Sequence, residues 1–466
     1  MAAQSGQYGG GCEIVDLSIE QKLSLAQSFA NHPIQNEPLD YKIKYINVLE
    51  WFVNKFAAND IFAKKFLENY KTGLLGIDVM NYQYSDELEG LLKVVAKLRL
   101  INWHWFSYRY LLLIDLMFLC AFNDSNKANF ILNEYKKQLK LWFLKNKYFK
   151  NMNTFTDGLY NGFKSDMKLD AVEDAVFKWQ KNLNFIMKQS SKILVTANMS
   201  AGKSTLINAL VGKRIVKTQN MVCTSKLHYI YNKAFEDGFN YKIDGDVSLD
   251  ADSEFLLNNS IANSSNVIAA STYFRSYALN KPFCLIDTPG VNYSGNSSHR
   301  EITRNAVLQK EYDKLVYVMN AEYLGTSDEY EYLKFIADNV KDREIIIVIN
   351  KLDRFNQSED SIPTSLKMIW NDLNKIGLTN FILCPVSAYA GLLAKEKLWH
   401  ENMVKRNYRQ LEIFQLDFEE EINNLSLYYP QMEISDLYSK FSSKDTDFVN
   451  LLINSGIAPF EKIIFQ

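Results

Sequence analysis

The amino-acid sequence predicts an α/β fold: a mainly parallel sheet with helices on both faces, preceded by a large all-helical domain and followed by further helices. Three observations carry this. From Leu17 to Gln189 prolines are few and apolar residues recur at three- and four-residue spacing, the period of an amphipathic helix. After Ser190 come short, nearly continuous apolar runs: KILVTA (192–197), FCLID (283–287), KLVYVM (314–319), EIIIVIN (344–350) and FILCPV (381–386). Helix-length stretches separate them, as expected of strands buried on both faces of a parallel sheet. Beyond Gly391 the helical texture returns. The expected division is a flexible tail at 1–16, an all-helical domain at 17–189, the α/β domain at 190–395 and C-terminal helices at 396–466 that pack on it.

In the helical domain, Val172, Val176, Trp179, Leu183 and Ile186 fall on one helix face. The most apolar stretch, Ile101–Phe122, is interrupted by His104, Arg109 and Asp115, so it reads as a buried bundle helix, with Asp115 paired to a cation such as Arg109. Between the first two strands, residues 240–271 read as a hairpin, a helix and a mobile loop, and KLHYIY (226–231) as a strand.

Composition narrows the function. With 47% apolar and 23% charged residues the chain is neither disordered nor fibrous. A net charge of −2 gives no general attraction to nucleic acid, which is not an expected partner. Cys12, Cys120, Cys223, Cys284 and Cys384 form no C-x-x-C pair, and His32, His104, His228, His299 and His400 are dispersed. That pattern excludes a disulfide scaffold and a readable histidine or cysteine metal centre, and it fits a reducing cytoplasm. The first sixteen residues lack the charged head and apolar core of a secretory signal.

The chemistry sits at strand ends. KILVTA runs into NMSAGKS and then into an apolar helix, the strand–loop–helix context of a phosphate loop, G-x-x-x-x-G-K-[ST]. Ala197 replaces the first glycine, which is tolerable at negative φ; Gly202 is retained. Asn198, Met199, Ser200, Ala201, Gly202, Lys203, Ser204 and Thr205 are the expected phosphate cradle, with Lys203 on the β- and γ-phosphates and the Ser204 hydroxyl on Mg²⁺. FCLIDTPG places Asp287 where an acid holds Mg²⁺ through water and Gly290 where a backbone N–H meets the γ-phosphate. In IIIVINKLD, Asn350, Lys351 and Asp353 end another strand; an aspartate there accepts two hydrogen bonds that guanine offers and adenine does not. PVSAYAG sets Ser387 and Ala388 near the guanine O6. Four such elements in this order specify GTP and GDP as ligands.

With these residues in place, the sequence from about Lys192 to its end resembles the dynamin superfamily, particularly bacterial dynamin-like proteins. The resemblance rests on NMSAGKSTLINALVG, MVCTSK, DTPGV, NAEYLGTSDEYEYLKFI, NKLD and SGIAPFEKI, with LGTSD (324–328) the most distinctive part. It implies a P-loop GTPase domain and a GTP-hydrolysing enzyme acting at membranes through nucleotide-dependent homodimerisation across the GTPase face. By the same resemblance Thr224 is the switch threonine completing the Mg²⁺ shell, with Thr218 the alternative, and Ser200 holds a monovalent cation that compensates charge. Ser200, Lys203, Thr224 and Gly290 are then the expected catalytic set, and Ser204, Thr224 and Asp287 the metal set.

Val291 follows the switch glycine, where Ras-type enzymes carry a water-orienting glutamine. Two features depart from the dynamin-family pattern: Met199 stands where glutamine is common, and a large helical region precedes the GTPase domain where the family's long helical stalk normally follows it. A second dynamin-like or stalk-supplying protein is therefore an expected partner. Six lysines, Lys136, Lys137, Lys140, Lys145, Lys147 and Lys150, interleave with aromatics in 133–152. They read as a solvated helix face or as a contact with an anionic membrane, which would place the protein in the cytoplasm or on the inner face of a membrane. Cys223, beside Thr224, reads as a packed thiol. The alternative function is a regulatory switch whose helical domain binds a protein or ribosomal partner.

Overall fold

The structure is a computed structural model. It describes residues 17–88, 105–142, 147–163, 172–217, 226–252, 267–290, 297–321, 326–354, 361–430, 437 and 439–466. Thr218, Cys223, Thr224, Val291, the Tyr323–Gly325 segment, Lys145 and the side chains of Lys140, Lys147 and Lys150 lie outside that description, as does the tail at 1–16.

The chain packs as two units. The first comprises residues up to Lys22 and Gln27–Asn184; the second comprises Phe185–Gln466 together with Leu23–Ala26. In the second unit, Ala234 N–H donates to the Ser24 carbonyl (3.2 Å) and the Ser271 hydroxyl donates to that of Leu23. Helical periodicity in the sequence carries no sign of this short backbone attachment.

The first unit is built from α1 (Leu39–Phe56), α2 (Ile61–Leu75), α3 (Trp105–Ala121), α4 (Ser125–Trp142), α5 (Lys147–Asn161) and α6 (Glu173–Ile186). Asp60 caps α2 by accepting from the N–H groups of Phe62 and Ala63, satisfying two donors that the first turn leaves open. On α6, Val176, Trp179 and Ile186 are buried, and the Trp179 indole N–H donates to the Leu159 carbonyl at 2.8 Å. In α3, residues Leu111–Met117 are all buried. Among the described residues no helix is long and apolar enough to cross a membrane.

Asp115 corrects one expectation: its carboxylate is held by neutral donors, not by Arg109. The Tyr45 hydroxyl donates to Oδ2 (2.5 Å) and that of Tyr70 to Oδ1 (2.8 Å). His32 Nδ1 accepts from the Ile34 N–H, which leaves the ring proton on Nε2 to donate to Asp115 at 3.2 Å. Burial, then Asp115, raises both tyrosines well above the usual phenol range, so each stays a donor.

The second unit is a nine-stranded sheet in the order β4-β3-β5-β2-β6-β1-β7-β8-β9. Its strands are β1 (Ser191–Ala197), β2 (Leu227–Asn232), β3 (Tyr241–Asp244), β4 (Asp246–Ser248), β5 (Val267–Thr272), β6 (Phe283–Asp287), β7 (Lys314–Asn320), β8 (Glu344–Asn350) and β9 (Phe381–Pro385). The run β6-β1-β7-β8-β9 is parallel throughout, so its C-terminal ends share one edge. β2 enters antiparallel to β6, and the expected hairpin is β3-β4. Residues 267–272, expected as mobile loop, instead form β5, parallel to β2. The Ser/Asn-rich stretch that precedes them reads as loop, whereas Val267, Ile268 and Thr272 suit a strand, and pairing with β2 forms it.

Helices α7 (Lys203–Val211), α8 (Ser297–Gln309), α9 (Ser327–Asn339), α10 (Ile362–Ile376), α11 (Ala388–Leu398), α12 (Lys405–Glu419), α13 (Thr446–Asn454) and α14 (Ile457–Ile464) complete this unit. The C-terminal α14 is fastened by charge as well as by apolar packing. Glu461 and Lys395, both fully buried, form an ion pair. Lys395 also donates to the Leu210 carbonyl (3.2 Å), and Ser276 donates to Glu461 Oε2 (2.9 Å). Burial pushes Lys395 down and Glu461 up, against their mutual attraction. Removing one partner strands the other charge. Lys395→Met is expected to destabilise the second unit by about 3–5 kcal/mol, and adding Glu461→Gln to recover much of it. Urea unfolding checks this; a double variant no more stable than the single would refute the coupling.

Candidate nucleotide site

The predicted phosphate, acid and base elements meet at the C-terminal edge of the parallel strands. Ala197 is the last residue of β1, fully buried, and is absent from the residues with positive φ, which explains why alanine is tolerated there. The chain then turns through Asn198–Ala201, with Ser200 at φ +60° and Gly202 at φ +87°, and enters α7 at Lys203. A Cβ on Gly202 would lie 2.3 Å from Asn350 Nδ2, so glycine is required by conformation and by contact.

Asn350, at the end of β8, is the junction of the site. Its Nδ2 donates to the Ala201 carbonyl (2.9 Å) and its Oδ1 accepts from the Ala388 N–H (3.0 Å). One buried amide thus joins the phosphate loop to the base loop. Asp353 accepts from the Ser387 hydroxyl through Oδ1 at 2.6 Å. Burial raises its carboxyl above the ordinary range despite that bond. Lys351 takes a left-handed backbone, φ +67°.

Asp287 ends β6 fully buried. Its Oδ1 pairs with Lys203 Nζ, and its Oδ2 has no hydrogen-bond partner. Burial alone would raise this carboxyl, but the Lys203 ammonium and His228 outweigh it and hold the group below its usual value. The following turn is anchored on β1: Thr288 donates its N–H (3.3 Å) and its hydroxyl (3.1 Å) to the Val195 carbonyl. Gly290 faces Met199, whose Cγ would stand 3.3 Å from an added Cβ. Ser204 and Thr205 are half-buried at the start of α7, and Met199 and Ser200 are exposed.

The structure therefore brings together Asn198–Thr205, Asp287, Gly290, Asn350, Lys351, Asp353, Ser387 and Ala388 at this edge, whereas Thr224 lies outside the described residues. Two sets of residues were not singled out by the sequence. Ser455 and Gly456 support the base loop: the Ser387 N–H donates to the Ser455 carbonyl (2.9 Å), and a Cβ on Gly456 would meet the Pro385 carbonyl at 2.3 Å. The closing SGIAPFEKI stretch contained both, but only the fold brings them under β9. The other is His228 on β2, opposite Asp287.

The chain is similar to several known proteins. Residues 193–352 match the family model described as Dynamin family. An uncharacterized protein in the xynA 3' region of Caldicellulosiruptor sp. (strain Rt8B.4) is 28% identical over 246 residues, half of this chain and 57% of that protein. Dynamin-like protein 1 of Campylobacter jejuni is 25% identical over 337 residues, 61% of this chain and 45% of that protein. The chain thus spans about half the length of these curated relatives. A solved structure of an oligomerised bacterial dynamin pair, described as a mechanism for long-range sensing and tethering of membranes, is 17% identical with a TM-score of 0.35, covering 80% of this chain and 56% of that one. The match at 193–352 falls on the phosphate loop, the DTPG turn and the start of NKLD, so this part of the chain is similar to the Dynamin family.

Proposed function

We propose that this protein binds GTP with Mg²⁺ and hydrolyses it, slowly as a monomer and faster as a nucleotide-dependent dimer. The observation that carries the reading is the Asn350 amide, which holds the phosphate loop and the base loop in one rigid unit around Lys203, Asp287 and Asp353. The residues also suit the metal: Asp287 is a buried carboxylate whose Oδ1 would be freed when Lys203 turns to the phosphates, and Ser204 lies in the first turn of α7. Ser204, Thr224 and Asp287 through water would hold Mg²⁺, which supplies charge stabilisation at the β- and γ-phosphate oxygens.

The chain's own residues do the remainder. Lys203 would leave Asp287 for the β- and γ-phosphates, where its fixed charge offsets the charge that spreads over the transferred group. Asp353, held by Ser387, would accept the guanine N1–H and 2-amino donors. Gly290 would offer its N–H to the γ-phosphate, and Ser200 would hold a charge-compensating monovalent cation. Val291 has no polar side-chain atom to orient water. Dimerisation across the GTPase face is the reading's source of the missing stabilisation.

The proposal includes attachment to an anionic membrane through 133–152. Lys137 is exposed on α4 while Tyr135 and Leu139 are buried, an amphipathic arrangement that also suits a simple solvated face.

Guanine selectivity is the first test. Asp353→Asn replaces an acceptor with a donor and should weaken GDP binding by about 1–3 kcal/mol, the range for an unsatisfied buried polar group. Because burial raises the Asp353 pKa, and only the ionised carboxylate accepts both bonds, GDP affinity should be full above that raised pKa and fall as pH drops through it. Calorimetric titration of GDP and ADP across pH checks both; equal GDP and ADP affinity would refute the assignment.

Turnover is the second test. Lys203→Ala should abolish phosphate release, whereas Ser200→Ala should lower kcat with GTP affinity nearly intact. Specific activity of the unaltered protein should rise with its concentration from nanomolar to tens of micromolar. A flat profile would replace the dimer mechanism with a switch that needs a separate activator.

A further inference from the structure

We infer that His228 is a positioning residue for Asp287, built into this chain to hold the acid in place once Lys203 is engaged elsewhere. The inference rests on the reading of Asp287 as the residue that reaches Mg²⁺ through water. β2 and β6 run antiparallel with His228 and Asp287 as directly opposed residues, so both side chains rise from the same face of the sheet. His228 is fully buried, and among the described residues neither ring nitrogen has a hydrogen-bond partner. A buried imidazole without partners is costly in a sheet interior, where valine or isoleucine would pack at no such cost.

Among the described residues, Asp287 is the one carboxylate within 4 Å of the imidazole. Its Nδ1 lies 3.6 Å from Asp287 Oδ2, itself buried and without a hydrogen bond. That separation is just beyond a hydrogen bond, and a movement of roughly half an ångström closes it. The neighbouring cation on the same strand face, Lys226, is directed to Asp244 at 3.6 Å. Asp287 therefore has two flanks: Oδ1 on Lys203 and Oδ2 on His228.

When the phosphates draw Lys203 away, the carboxylate loses the cation that fixes Oδ1. A hydrogen bond from His228 Nδ1–H to Oδ2 would then fix the carboxylate plane and leave Oδ1 free for the metal's water. This is the orientation that outer-shell donors impose on acidic groups around a metal. Because Asp287 and His228 sit on adjacent strands rather than loops, the alignment is preserved through motion of the surrounding turns.

The test is an Mg²⁺ titration of fluorescent GDP binding to the full chain, beginning in metal-free buffer. His228→Phe should raise the Mg²⁺ concentration for half-saturation about 10-fold, leaving metal-free GDP affinity unchanged. His228→Asn, whose amide can donate from near the Nδ1 position, should recover most of that loss. A merely structural role would lower the unfolding midpoint in both variants without separating the two affinities. An unchanged Mg²⁺ requirement in a folded His228→Phe variant would overturn the inference. Asp287→Asn is the companion arm: if it shifts the Mg²⁺ requirement and His228→Phe does not, His228 alone is refuted. If Asp287→Asn shifts nothing, the reading of Asp287 falls and the inference with it. Should neither His228 variant fold, ¹⁵N spectra of the unaltered protein with GDP and Mg²⁺ decide the matter. A proton on Nδ1 is expected, and a proton confined to Nε2 overturns the proposal.

Discussion

The site depends on one buried amide. Asn350 spans the gap between two loops that leave different strands, donating to Ala201 and accepting from Ala388. That geometry demands an approach so close that the facing residue can carry no side chain, and Gly202 is the result. The same crowding recurs at Gly456, where the backbone passes against the Pro385 carbonyl. In both places a left-handed glycine lets one segment lie against another, and the loops of the site are supported from behind. The nucleotide cradle is thus a consequence of how β1, β8 and β9 end, and of what the C-terminal helices press against them.

Two buried lysine–carboxylate pairs in the same unit have opposite characters. Lys395 and Glu461 are sealed, each with further hydrogen bonds, and tie α14 to the C-terminal end of α7 and to Ser276. Lys203 and Asp287 stand at the phosphate edge, and there the carboxylate keeps an oxygen without a hydrogen bond. A closed network resists exchange of partners because every departure leaves a stranded charge. On our reading the second pair exchanges partners because the phosphates and the metal replace each ion's counter-charge. His228 supplies the fixed point about which that exchange turns.

The helical unit applies a related rule. Its most apolar helix, α3, carries Asp115 into an aromatic interior, where two tyrosines and a histidine satisfy the carboxylate. Three donors drawn from other segments must converge on one residue, so the interaction favours a single packing of these helices over the many that apolar surfaces alone permit.

Much of this was legible in the sequence because it is local. Apolar runs with helical spacers gave the parallel strands, and the order of GKS, DTPG, NKLD and SAYAG, each following its own strand, is the basis on which we propose a guanine nucleotide. Other features are products of tertiary structure. The strand at 267–272 follows a Ser/Asn-rich stretch that reads as loop, and its place beside β2 belongs to the folded sheet. Asp115 took tyrosines and a histidine in place of Arg109, a choice that sequence spacing cannot express. Ser455 and Gly456 reach the base loop across more than sixty intervening residues, and His228 meets Asp287 only through the antiparallel register of β2 on β6. The sequence by itself determined which chemical groups the strand ends carry, because a short motif and its turn are set by neighbouring residues. Tertiary structure alone decided what holds those groups in place, because burial and cross-strand register belong to the packed chain.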